Sequence, residues 1–366
     1  MIIRFIYSLS LIFVLSTVLA AVGCGPKSIP TPYVAEEFQI CANGCHDPSI
    51  SGETVAWIEN RYNGYDNLFI YNLPTQYEFP ICLYTFIPYP LGSNYIVSGD
   101  IVVWEDDRNN TLPNNPESCC GPDNIDIYGF NLSSSREFPI CMNLSRQGFP
   151  AISGDTVVWT DGRNGNWTCC GQSTNLSIHG YNLSSHEEFP IYTNQGLDSR
   201  SLISGNTVIF SVYNISIRDI YGYNISAQTA FFIRTMQPGD QSEVFSGHIL
   251  VWQDGRNDYV DNNGAYISKS DVYGYDILTD TEFPICTNPS GQGAPAISGD
   301  IVVWADGRNG NSDVYGYNLT TGEEFAICTD PGDQVYPAIS GNTVVWQDWH
   351  NNTMSIYGAR LSFDNP

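Results

Sequence analysis

Apolar residues in this chain come in short runs bounded by Gly, Asn, Asp or Ser, and the order of the runs repeats. The segment from Ala296 to Cys328 shows the unit. A short apolar stretch precedes the turn Ser298-Gly299-Asp300; then come Ile301–Trp304, an Arg-Asn-Gly-Asn turn, Asp313–Leu319, a Thr-Thr-Gly-Glu turn and a final run ending at Cys328. Ile301–Trp304 has no polar alternation, the mark of a strand buried on both faces. Gly299 can take the positive φ of a hairpin turn, and Asn309-Gly310 is a strong hairpin signal. The unit therefore predicts four strands, a to d. Proline often follows the phenylalanine of strand d, as at Pro139 and Pro284, which places d at a sheet edge because proline brings no N–H to a ladder. No window has the periodicity of an amphipathic helix.

The Ser-Gly marks stand at Ser51, Ser98, Ser153, Ser204, Ser246, Ser298 and Ser340, spaced 47, 55, 51, 42, 52 and 42 residues apart. A unit of about 42 with insertions matches the ~40–45 residues of a propeller blade. A lone four-stranded sheet with two apolar faces is unstable; stacking copies into a ring buries both. Strand b supplies the packing, with Trp57, Trp104, Trp159, Trp252, Trp304 and Trp346 at one position and Phe210 in the remaining copy. The last copy ends at its strand c, while a stray strand d, Glu36–Cys41, precedes the first full copy. The expectation is an all-β, seven-bladed β-propeller of four-stranded antiparallel blades over residues 33–366, its ring closed by the N-terminal strand d pairing with C-terminal strands a–c.

The segments Trp304–Gly310 (W-x-D-x-R-N-G) and Asp313–Tyr317 (D-V-Y-G-Y) resemble the repeats of the TolB-like β-propeller family, a relative of WD-repeat propellers, and the fuller pattern is similar to archaeal, methanogen-type cell-surface proteins. The resemblance runs from Tyr33 to Leu361 and implies the fold. TolB's additional N-terminal domain has no counterpart in the short stretch between Cys24 and Tyr33.

Residues 1–23 read as a signal peptide: Arg4 is the only charge, and an apolar run follows. The ending Ala-Ala-Val-Gly-Cys24 resembles a lipobox, so three fates are open: lipidation at Cys24 with residues 24–32 as linker, cleavage after Ala20, or an uncleaved anchor. Each exports the chain, making the expected localisation extracellular or cell-surface, with membrane contact through the N terminus only. Acidic residues outnumber basic ones 39 to 14, a net charge of -25, which disfavours nucleic acid as a partner. Export gives meaning to ten glycosylation sequons: Asn109, Asn131, Asn143, Asn166, Asn175, Asn182, Asn214, Asn224, Asn318 and Asn351. Asn131, Asn182, Asn224 and Asn318 share one repeat position where Asn also suits a turn entrance.

Eleven cysteines invite disulfides in that compartment. Cys119-Cys120 and Cys169-Cys170 interrupt the same b–c hairpin in blades 2 and 3, and a cross-link between the insertions is expected over a four-thiolate metal site. Cys41 and Cys45 can close a short loop. The carboxylate two places after the Trp, as at Asp106, Asp161, Asp254 and Asp306, is followed by Arg in five copies: Arg61, Arg108, Arg163, Arg256 and Arg308. A feature repeated blade after blade serves the blade, so this reads as a turn cap with the Arg bridging to a nearby carboxylate, on strand c, rather than a metal ring. No catalytic or cofactor motif stands out. Blade 5 carries a third insertion at the b–c hairpin, so one face is unequally decorated. The resulting expectation is a non-catalytic module binding a surface protein or glycan, with a passive envelope component or a carboxylate-based carbohydrate-active enzyme as alternatives.

Overall fold

The structure is a computed structural model that describes residues 32–62, 65–82, 95–109, 124–165, 175–193, 197–214, 217–260, 264, 266–350 and 353–363. Cys24, Cys119, Cys120, Cys169, Cys170, Asn166 and Asn351 lie outside the described residues. The rest folds into seven four-stranded antiparallel sheets. In blade 6 the strands are Gln292–Ser298 (a), Ile301–Asp306 (b), Asp313–Asn318 (c) and Glu323–Cys328 (d), paired in that order. Blades 1 to 5 repeat it, blade 5 adding a small hairpin of Tyr259–Val260 and Tyr266–Ile267 between b and c. Blade 7 is composite. Asp333–Ser340, Thr343–His350 and Thr353–Ser362 give a, b and c, and Tyr33–Cys41 pairs outside them as d.

Strand d packs on strand c by one rule. In blade 6 the Phe325 ring lies over Gly316, where a Cβ would come within 2.6 Å of it. At the seam the Phe38 ring covers Gly358 in the same way, at 2.8 Å from a notional Cβ. That close approach is why the repeat reads Tyr-Gly-Tyr.

The core is divided into seven apolar clusters, one at each junction between neighbouring blades. Each strand-b aromatic belongs to the junction with the preceding blade: Trp252, for example, packs with Ile209, Ile220 and Ile233 of blade 4. Trp57, Trp159, Trp252, Trp304 and Trp346 are fully buried and Trp104 nearly so. A hydrogen-bond relay follows the same path. The Gly N–H of a Ser-Gly turn donates to the Ser Oγ of the blade before it, at 2.9 Å for Gly99 to Ser51 and 3.0 Å for Gly341 to Ser298. Six of the seven junctions carry this bond.

Candidate functional site

Two polar systems dominate the described residues. The first is the repeated carboxylate–arginine unit. In blade 6 the Trp304 indole N–H donates to Asp306 Oδ2 at 2.9 Å. Arg308 donates its backbone N–H and Nε to Oδ1, both at 2.9 Å, and Nη2 to Oδ2 at 2.7 Å. Its guanidinium lies 4.0 Å over the Tyr315 ring and reaches Glu324 at 2.5 Å. Arg108, Arg163 and Arg256 repeat this grip on Asp106, Asp161 and Asp254, and Arg61 on Glu59. The second carboxylate is on strand d, not strand c: Glu78, Glu137, Glu188, Glu282 and Glu324. The reason is the stack on the strand-c aromatic, which lays the guanidinium flat across c and aims its far edge at d. Burial alone would raise the Asp306 pKa, but hydrogen bonds from Arg308 and Trp304 hold it below the usual range. The guanidinium pairs with the turn carboxylate and the strand-d glutamate, and in blades 3 and 6 Nη2 also reaches the Cys Sγ of the preceding blade, so the unit is structural.

The other sequence-derived positions are also structural where described. Asn131, Asn182, Asn224 and Asn318 each accept a backbone N–H two or three residues ahead through Oδ1, closing the c–d turn. Asn109 donates Nδ2 to Asp126 at 2.7 Å and to the Tyr128 hydroxyl at 3.0 Å, so the atom that a glycan would occupy is engaged. Asn143 also donates its Nδ2, to Cys141 Sγ; Asn175 stands at the approach to strand c of blade 3 and Asn214 ends strand b of blade 4. Cys41 and Cys45 form a disulfide joining the closing strand to strand a of blade 1. Cys141, Cys286 and Cys328 are buried free thiols.

The second system lies on the axis, and its residues are not repeated. Strand a of five blades bulges and places one residue at positive φ: Asp47 at 52°, Phe149 at 54°, Ser242 at 57°, Ala294 at 48° and Tyr336 at 50°. A side chain in this region costs about 1–2 kcal/mol. The preceding blade braces the bulge with the residue after its Trp. Gln347 accepts the Asp47 N–H at 3.3 Å, and buried Glu105 accepts the Phe149 N–H at 2.7 Å. Burial pushes the Glu105 carboxyl up, opposed by that N–H and by the charges of Arg146 and Arg200.

The bulges line a cavity of about 740 Å³ reached by Asp47 of blade 1, Arg200, Ser211 and Arg218 of blade 4, Gln241, Ser242, Glu243 and Gln253 of blade 5, and Tyr336 of blade 7. Arg218 ion-pairs with Glu243 and donates Nη2 to the Asp240 carbonyl at 2.7 Å. Arg200 is exposed and lies 5.6 Å over the Phe149 ring. Asp47 is hydrogen-bonded to His46 Nδ1 at 3.1 Å. Gln241 and Gln253 pair across strands a and b one residue before Asp254, where the blade 5 excursion starts. Its volume suits a small ligand. Its charged lining is two arginines, Arg200 and Arg218, and two carboxylates, Asp47 and Glu243, with Arg218 and Glu243 paired.

No protein-family model and no curated protein matches this chain. Solved structures do. The chain is similar to the β-propeller domain of the Trilobed protease from Pyrococcus furiosus, described as having an open velcro topology, at 13% identity and TM-score 0.58, over 90% of this chain and 97% of that one. It is similar to an oligogalacturonate lyase from Vibrio parahaemolyticus at 12% identity and TM-score 0.59, over 90% and 98%. It is similar to the acylaminoacyl peptidase of Pyrococcus horikoshii at 12% identity and TM-score 0.59, over 90% of this chain but 53% of that one. At this identity the likeness establishes the propeller fold. It also corrects the expectation of a non-catalytic binding module. That expectation rested on the lack of a recognisable catalytic motif, yet the lyase is an enzyme and the match covers 98% of its chain.

Proposed function

We propose that the protein is an enzyme that cleaves acidic oligosaccharides by acid–base chemistry in the axial cavity, acting outside the cell behind its N-terminal export segment. The observation that carries this reading is the placing of Arg200 and Arg218 at one cavity in a chain with 14 basic and 39 acidic residues. The matched oligogalacturonate lyases, 96% and 98% of whose chains are covered by the match, support it.

Arg200 would hold a uronate carboxylate by charge-assisted hydrogen bonds, Arg218 would join it by giving up its pairing with Glu243, and neutralising that carboxylate makes the neighbouring C–H acidic. Asp47, coupled to His46, and Tyr336 are the wall groups able to take and return a proton. In an eliminative cleavage the base removes the C5 proton, the electron pair forms the C4–C5 double bond, and the glycosidic oxygen leaves with a proton. One matched lyase was solved with manganese. Among the described residues, the groups of three His, Cys, Asp or Glu donors are Cys41–Cys45–Glu59 and Glu37–Cys328–Asp330. Neither borders the cavity, and no step is assigned to a metal.

The test is turnover on polygalacturonate, alginate and neutral glycans, read by ultraviolet absorbance of the unsaturated product and by reducing ends. Cleavage of uronates that Arg200→Ala and Arg218→Ala weaken through KM supports the reading. Absence of turnover on every uronate, or turnover unaffected by both changes, rejects it.

A further inference from the structure

Blade 7 lacks one part of the carboxylate–arginine unit. It keeps the indole, the turn carboxylate, the strand-c aromatic and the strand-d glutamate as Trp346, Asp348, Tyr357 and Glu37, but its sequence has His350 where five sister blades carry arginine. The loss falls on the junction with blade 6. In blades 3 and 6 the guanidinium also reaches back to the preceding blade, at 3.6 Å from Arg163 to Cys141 and 3.4 Å from Arg308 to Cys286. One cation there gathers a turn carboxylate, a strand-d glutamate and a neighbouring thiol. Between blades 6 and 7 the three acceptors remain and the arginine does not.

Two further differences mark this junction. Cys41, Cys141 and Cys286 are each followed two residues later by asparagine, whereas Cys328 is followed by Asp330. The junction has thus lost a positive charge and gained a negative one. Donor atoms of Glu37, Cys328 and Asp330 lie within 4.8 Å of one another, the thiol buried and both carboxylates exposed to solvent. Burial and the charges of Asp330 and Asp348 push the Glu37 carboxyl up. The second difference is beneath them. In the five sister blades the indole N–H donates to the turn carboxylate. Trp346 has the same register, opposite Tyr357 as Trp304 is opposite Tyr315, and is fully buried. Its N–H nevertheless has no acceptor, and Asp348 Oδ2 instead accepts from Gln334 at 3.1 Å. Buried donors are rarely left so. In the sisters it is the arginine that fixes the carboxylate where the indole can reach it.

We propose that a divalent cation of the zinc type takes the arginine's place between blades 6 and 7, bound by Cys328 Sγ and the carboxylates of Glu37 and Asp330, beside Asp348. One thiolate, two carboxylates and a water complete a tetrahedral zinc set, and the thiolate selects zinc over calcium or magnesium. Cys328 gives its thiol proton to solvent on binding. Glu37 belongs to the closing strand and Cys328 ends blade 6, so the ion staples the seam to the neighbouring blade. None of these residues lines the axial cavity, and the proposal does not rest on its chemistry.

The full chain, stripped of metal by a chelator and dialysed, is titrated with Zn2+ by calorimetry and with Co2+ by absorbance. The expected results are Zn2+ binding with micromolar Kd or tighter, a cobalt–thiolate charge-transfer band, and a Tm raised by Zn2+ but not by equal Mg2+. Asp330→Asn restores the sister residue at an exposed position and is expected to weaken Zn2+ about tenfold or more. Cys328→Ser should remove the cobalt band, and His350→Arg, which supplies the missing cation, should make Tm indifferent to Zn2+. Asp330→Asn carries the test alone if Cys328→Ser perturbs the circular dichroism. A wild-type chain that binds no Zn2+ overturns the proposal. So does Zn2+ binding that Asp330→Asn leaves unchanged, which would mean an adventitious ion only.

Discussion

The amide of Gly52 donates to the hydroxyl of Ser340 at 2.8 Å, across 288 positions of sequence. The same bond joins blades adjacent in the chain, such as Ser51 to Gly99. The junction between the last blade and the first therefore uses the repeat's own interface, and the Ser-Gly dipeptide is conserved in every unit because it serves both a hairpin and the neighbouring blade.

The seam should show strong coupling between Phe38 and Gly358. Gly358→Ala drives a Cβ into the Phe38 ring and is expected to cost about 1–3 kcal/mol. In a Phe38→Ala background the same change should cost much less, because the ring it strikes is gone. A double-mutant cycle on urea unfolding measures this; additive costs would mean that Tyr33–Cys41 does not close the ring.

Asp306→Asn breaks a buried charge pair and is expected to cost about 3 kcal/mol at neutral pH. The Asp306 pKa is lowered in the folded state despite its burial, by Arg308 and Trp304. Its contribution is therefore present above the unfolded Asp value, about 3.9, and is lost as pH falls through the lower folded value. The Tm gap between wild type and variant should be widest near neutrality and close in acid.

Burial pushes the Cys141 thiol up to about 11 and those of Cys286 and Cys328 up to about 12. Their contribution to stability is intact below the unfolded thiol value near 8.5 and is lost as pH rises from there through the folded values. At pH 8 the three should resist iodoacetamide in the native protein and react on unfolding, as peptide mapping would show.

Ala294 sits at φ 48° on the axial bulge. Ala294→Gly should raise stability by roughly 0.5–1 kcal/mol, the reverse of the usual effect of adding glycine to a strand. Asp47→Gly likewise keeps its backbone conformation while removing the carboxylate. It should leave Tm near wild type and abolish turnover on uronates, separating the chemistry of Asp47 from its turn.

The blades were legible in the sequence because burial on both faces leaves strand b, as in Val302–Trp304, no polar alternation to obscure it. The seam was legible because Phe38 and Cys41 repeat the strand-d pattern ahead of any blade that could own them. The cavity was not, although a signal existed. Blade 4 carries Phe210, Val212 and Asn214 where five of its sisters carry Trp, carboxylate and Arg, and that lapse marks the blade contributing Arg200 and Arg218. Repeat reasoning looks for what recurs, whereas the cavity is built from what does not. Nor could spacing reveal that the bulge after His46 turns Asp47 toward the axis, since that depends on a brace, Gln347, supplied by another blade.

The composite seventh blade also sets an order of events during synthesis. Tyr33–Cys41 precedes its partner strand, Thr353–Ser362, by six whole blades of sequence. A chain made from its N terminus must hold that orphan strand unpaired until Thr353–Ser362 exists, so the ring closes after its six other blades have been synthesised.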